Sequence, residues 1–89
     1  MTGSDTARVL RWIFVRGDER QTCELALNDR ALLYEFSIVR EGQRASKSID
    51  RFAESSQAFE RQCRYEAGLI ADGWTLQAYE SSGFALAAN

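Results

Sequence analysis

Four residues combine a reactive side chain with a telling position: Glu66, Arg11, Cys23 and Cys63. Glu66 falls in a stripe with Phe59, Cys63 and Ile70, spaced i, i+4, i+7 and i+11 as on one side of a helix. An unpaired ionised carboxylate inside an apolar stripe is costly, so it must be paired, protonated or carried to the rim. Arg11 is the one charge inside the apolar run 9–15, which makes it the natural counter-charge. The expectation is a structural Arg11–Glu66 ion pair. A tuned acid or ligand contact, or simple exposure of an overhanging helix, are the alternatives. Cys23 and Cys63 each fall in an apolar set and read as small buried hydrophobes. They are far apart in sequence, with no third ligand type nearby, which argues against a metal site. Neither shows the close spacing or electropositive helix start of a redox pair.

Composition narrows the chemistry further. The 89 residues contain no His and no Pro, which excludes imidazole acid–base catalysis, His metal sites and a Ser-His-Asp arrangement. There is no nucleophile–base pair and no phosphate-binding loop motif. The chain is therefore expected to be non-enzymatic and to need no cofactor. Eleven Lys and Arg against 13 Asp and Glu give a net charge of −2. That balance disfavours a general nucleic-acid binder and an anionic membrane surface. No apolar run reaches transmembrane length. Residues 1–7 lack the basic cluster and apolar core of a secretory signal, so a cytoplasmic location is expected. At 45% hydrophobic and 27% charged the chain is globular in type, with length for a single thin core.

The elements that position these residues follow from their periodicities. Residues 1–7 are small and polar and read as a flexible tail; 8–80 form a single α+β domain; 81–89 form a second tail. Leu10, Trp12 and Phe14 alternate with Val9, Arg11, Ile13 and Val15, a strand over about 8–16 with apolar residues on both faces. Gly17 and Asp18 mark a turn, and a second strand spans 21–28. A third covers 31–40, with Leu32, Tyr34, Phe36 and Ile38 on one face and Leu33, Glu35, Ser37 and Val39 on the other. The charged stretch 43–52 suits a sheet edge. A helix over 55–72 begins at Ser55 or Ser56 as N-cap and ends at Gly73, with Phe59, Cys63, Glu66 and Ile70 as its buried stripe. A short strand over 74–79 closes the domain. Short links force antiparallel pairing, giving four to five strands with the helix packed across one face.

Two further groups bear on function. Trp12, Phe14, Tyr34, Phe36, Phe52, Phe59 and Trp74 could form a stacking platform for single-stranded nucleic acid. They alternate in step with the core face, however, and core is the better reading. The other group is Val9, Ile13, Val15, Leu33 and Val39, which one helix cannot cover while covering the opposite face. This second face is a candidate association surface, covered by a second subunit or by a tail carrying Phe84 and Leu86.

From Cys23 onward the order of signals resembles the WGR domain: Cys23-Glu24-Leu25, a strand from Tyr34 to Val39, Gly42-Gln43, Phe52, Ala58-Phe59 and Gly73-Trp74. The likeness covers about half the chain. The naming Trp-Gly-Arg tripeptide is absent, the strand reading Glu35-Phe36-Ser37-Ile38-Val39-Arg40. The resemblance implies the fold layout and, as an alternative function, a nucleic-acid contact module; it assigns no functional residue. Such a module would gather Arg40, Arg44, Lys47 and Arg51 with Arg61 or Arg64 on one face. The leading expectation is a small interaction module that self-associates or binds a protein partner.

Overall fold

In the computed structural model, residues 9–28, 30–42 and 44–82 are described. The chain runs β1 (Val9–Arg16), β2 (Glu19–Asn28), β3 (Leu33–Glu41), β4 (Ser46–Phe52), α1 (Ser55–Ala71) and β5 (Thr75–Ser82). The five strands form one antiparallel sheet in the order β4-β3-β2-β1-β5. This is the α+β architecture the alternation predicts. The last strand is longer than expected and takes in residues 81 and 82, expected to lie in the second tail. It returns across the whole sheet to pair with β1 rather than beside β4.

The connections explain the meander. Arg16 and Glu19 pair directly, leaving a two-residue loop in which Gly17 has φ 60. A positive φ at the first loop position is the II′ hairpin geometry, whose twist matches that of the flanking strands. Between β2 and β3, Asn28 Oδ1 accepts from the backbone N–H of Arg30 and of Ala31, both at 3.1 Å. This side chain supplies turn hydrogen bonds that the backbone would otherwise lack. Leu32 follows with φ 56 and is 74% exposed. A bulky residue in the left-handed region carries about 1–2 kcal/mol of strain, and Leu32 has little burial to offset it. Leu32→Gly is therefore expected to raise stability by about 1 kcal/mol. A urea titration showing a loss of that size would mean that the side chain has a packing role.

The core lies on one face of the sheet: Trp12 and Phe14 from β1, Cys23 and Leu25 from β2, Phe36 and Ile38 from β3, with Ala58, Leu69 and Trp74 above. The register aligns these rows, since Leu25 faces both Leu10 and Phe36 while Cys23 faces both Trp12 and Ile38. α1 packs over β2, β3 and β4. Its cap is Glu54, without a side-chain cap bond, so Ser55 is the first helical residue and neither serine caps it. The helix ends at Gly73, φ 91, where the Trp74 N–H donates to Leu69 O at 2.9 Å and turns the chain toward β5.

β5 breaks the simple alternation read for 74–79. Ile13 faces Ala78 but Phe14 faces Leu76, so Gln77 is the extra residue of a bulge. Leu76 therefore sits beside Phe14 on the helix side, Ala78 beside Ile13 on the other, and Tyr79 against Trp12 with ring centroids 5.4 Å apart.

Candidate interaction surfaces

The helix contacts the sheet along Ala58, Gln62, Tyr65 and Leu69, not along the stripe expected from the sequence. The expected stripe is real but rotated by about one residue, roughly 100° on a helix. Phe59 is 44% and Ile70 55% exposed, and Cys63 is exposed as well, contrary to its expected burial. The reason is visible at Ala58, which is fully buried: the helix start approaches the sheet closely enough to want the smallest side chain beneath it.

The Arg11–Glu66 pair does not form. Arg11 lies between Leu10 and Trp12, both directed to the helix side, so strand alternation sends its side chain to the opposite face. There its Nε donates to Glu24 Oε2 at 2.6 Å and Nη1 to Glu80 Oε1 at 3.1 Å. Glu66 instead accepts from Gln62 Nε2 at 2.7 Å. The signal that separates the two residues was available: the parity placing Trp12 under the helix removes Arg11 from it.

Under the helix lies a polar cluster that sequence reading missed. Gln21 is fully buried, its Oε1 accepting from Tyr65 Oη and its Nε2 lacking a partner among the described residues. Cys23 sits beside it in the core, its thiol pushed up to about 12 chiefly by burial and further by the Glu66 charge. Burial also raises Tyr65. Both groups are therefore neutral at ordinary pH. Among the described residues no group of three or more His, Cys, Asp and Glu side chains could hold a metal ion.

The contrast between the cysteines is directly measurable. Under native conditions a thiol reagent is expected to modify Cys63 rapidly and Cys23 only after unfolding. Equal rates at the two sites would overturn the assigned helix orientation. Since the folded-state value of Cys23 is raised, its contribution to stability is complete below the unfolded thiol value of 9.0. It is lost as pH rises through that value towards about 12.

The five residues of the expected association face do share one side of the sheet. Val9, Ile13 and Val15 of β1 and Leu33 and Val39 of β3 have the same parity and register. Among the described residues no second layer covers them. Phe84 and Leu86, the alternative cover, lie outside the described residues. The face is not a continuous apolar patch, however. Glu80, Arg11 and Glu24 form an ion-paired row across it, and Arg51 Nε donates to Glu35 Oε2 at 3.0 Å in the next. Ile13 is only 8% exposed, flanked by Thr22 and Ala78. A partner docking here would have to desolvate the charged row.

The larger apolar exposure lies on the helix side. α1 lies over β2 to β4, and Trp12 and Phe14 on the helix side of β1 are buried in the core with Leu69 and Trp74, so the exposure falls on the edge strand β5. Leu76 is 40% and Tyr79 52% exposed on β5, and Phe59 and Ile70 are exposed on α1. Phe59 also lines a groove of about 170 Å³ with Leu10, Leu25, Leu27, Tyr34 and Ser55 at the start of the helix.

The basic residues are divided. Lys47 and Arg51 share the parity of the ion-paired face, while Arg40 has that of the helix side. Arg61 bonds Asp50 at 3.2 Å and lies over the Phe36 and Tyr65 rings, and Arg64 bonds Glu60 at 2.9 Å. Phosphate binding draws its strength from cations gathered along one surface, and this arrangement spreads and pairs them. Among the described residues no helix is long and apolar enough to cross a membrane. Comparison with family models, curated proteins and solved structures finds no match to this chain.

Proposed function

We propose that this domain is a non-enzymatic interaction module that associates with protein, a second copy included, through the apolar residues exposed on α1 and β5. The observation that carries the reading is the exposure of four large apolar or aromatic residues on the helix side, Phe59 and Ile70 of α1 and Leu76 and Tyr79 of β5. Large exposed apolar patches on small domains mark interaction sites, and buried aromatic anchors dominate interface energies.

The test combines light scattering over a wide concentration range with a photo-crosslinking residue placed at position 70 in the producing cells. The expected result is a concentration-dependent mass, or one discrete crosslinked adduct, lost in Phe59→Asp and Tyr79→Asp variants that keep wild-type circular dichroism. A strictly monomeric protein with no discrete adduct overturns the reading. So does association that both variants leave unchanged.

A further inference from the structure

We infer that the groove at the start of α1 is filled by the chain's own segment 83–86, with the Phe84 ring seated against Leu10 and Leu27. This contact is separate from the protein association proposed above. Residues 83–86 read Gly-Phe-Ala-Leu and lie outside the described residues. Three observations on the described residues lead there.

The first is an incomplete row. On the helix side of β1, Trp12 faces Tyr79 of β5 and Leu10 faces Ser81. Tyr79 packs on Trp12, with ring centroids 5.4 Å apart, and Trp12 is buried. At Leu10 the neighbouring strand offers only a serine, and Leu10, Leu27 and Tyr34 stay half-buried around the groove. An apolar side chain seated there takes their remaining surface out of water, which is favourable in proportion to the area covered.

The second is size. The groove holds about 170 Å³ between Leu10, Leu25, Leu27, Tyr34 and Phe59. A cavity of about 150 Å³ lined by Leu, Ile and Phe takes up benzene, so this space fits one phenyl ring. Phe84 is the one aromatic residue of the chain outside the described residues.

The third is reach, together with charge. Ser81 pairs with Leu10 and Ser82 with Val9, so β5 ends at the same end of the sheet as the groove. The spacing of neighbouring strands puts Leu10 about 5 Å and Leu27 about 10 Å across the sheet from β5. Two residues beyond Ser82 the chain reaches about 7 Å, and the Phe84 side chain spans the rest. Gly83, which adopts either sign of φ readily, is the residue at which the chain turns over the end of β1. Simple alternation would send Phe84 to the other face instead. There Arg11 is paired with Glu24 and Glu80, and a ring laid over that row would desolvate the charges.

The experiment is NMR on the full chain with labelled Leu, Val and Ile methyls and Phe rings, joined to limited chymotrypsin digestion. The Phe84 ring is expected to show cross-relaxation to the Leu10 and Leu27 methyls. Phe84→Ala should shift those methyl signals and leave those of Leu69, in the core farther along the helix, in place. Chymotryptic cleavage after Phe84 should be about tenfold or more faster in Phe59→Ser than in the wild type, since cleavage follows the population of the undocked segment. Ring contacts to Val9 or Ile13 would put the segment on the opposite face, and a ring without contacts would leave it out of the groove; either result overturns the inference. Equal cleavage rates in a folded Phe59→Ser protein do the same. Contacts that appear only between differently labelled chains in a mixed sample make the occupant a second copy, which also overturns it.

Discussion

Phe36→Ala is expected to cost about 3–5 kcal/mol, the range for truncating a buried aromatic, whereas Phe59→Ala should cost about 1 kcal/mol or less. Phe36 is 1% exposed at the centre of the sheet, between Leu25 and Asp50 in its row, with the Tyr65 ring edge-on at 6.1 Å and the Arg61 guanidinium above it. Removing it opens a cavity beneath the helix that Ala58 is too small to fill. Small domains have total stabilities of about 5–15 kcal/mol, so this one change is expected to leave the fold marginal. Phe59, on the helix flank, loses only partial contact with Leu10 and its neighbours. Paired urea titrations decide the matter. Equal losses for the two variants would mean that the helix is rotated by one residue from the orientation described, with Phe59 in the core.

Tyr65→Phe should cost about 1–3 kcal/mol, the range for stranding a buried polar group. The Tyr65 hydroxyl is the bond partner of the Gln21 side chain, and Gln21 Nε2 already lacks one among the described residues. Deleting the hydroxyl leaves a fully buried amide unsatisfied at both ends. Gln21→Leu removes the need for that bond with a side chain of similar size, so the double change Gln21→Leu with Tyr65→Phe should be milder than Tyr65→Phe alone. Replacing both members of a buried polar pair by apolar groups can be nearly neutral, and a double-mutant cycle isolates the coupling. Additive losses would show that the two side chains do not depend on each other.

These two expectations separate what local pattern encodes from what it does not. The strands were legible because alternation is a local property. Leu10, Trp12 and Phe14 against Arg11 and Ile13 state the two faces of β1, and short links at Gly17 and Asn28 leave antiparallel pairing as the only geometry. The helix was legible from its period and from Gly73. Shared parity also brought Val9, Ile13, Val15, Leu33 and Val39 to one face, as expected.

Three features required the assembled fold. Two candidate lines on α1 differ by about 100°, and hydropathy favours Phe59, Cys63 and Ile70 over Ala58, Gln62 and Leu69. The sheet selects the second line because the helix approaches closely at Ala58 and because Tyr65 finds a polar partner in Gln21 of β2. The Arg11–Glu80 ion pair depends on β5 crossing to the far edge, which brings Glu80 from the other end of the chain beside a strand 69 positions earlier. Leu76 and Tyr79 of β5 stay exposed because the one helix lies over β2 to β4. Period and parity say which residues share a face. Which neighbour covers that face, and how much of it stays bare, is decided by contacts between residues far apart in the chain, and no local spacing records them.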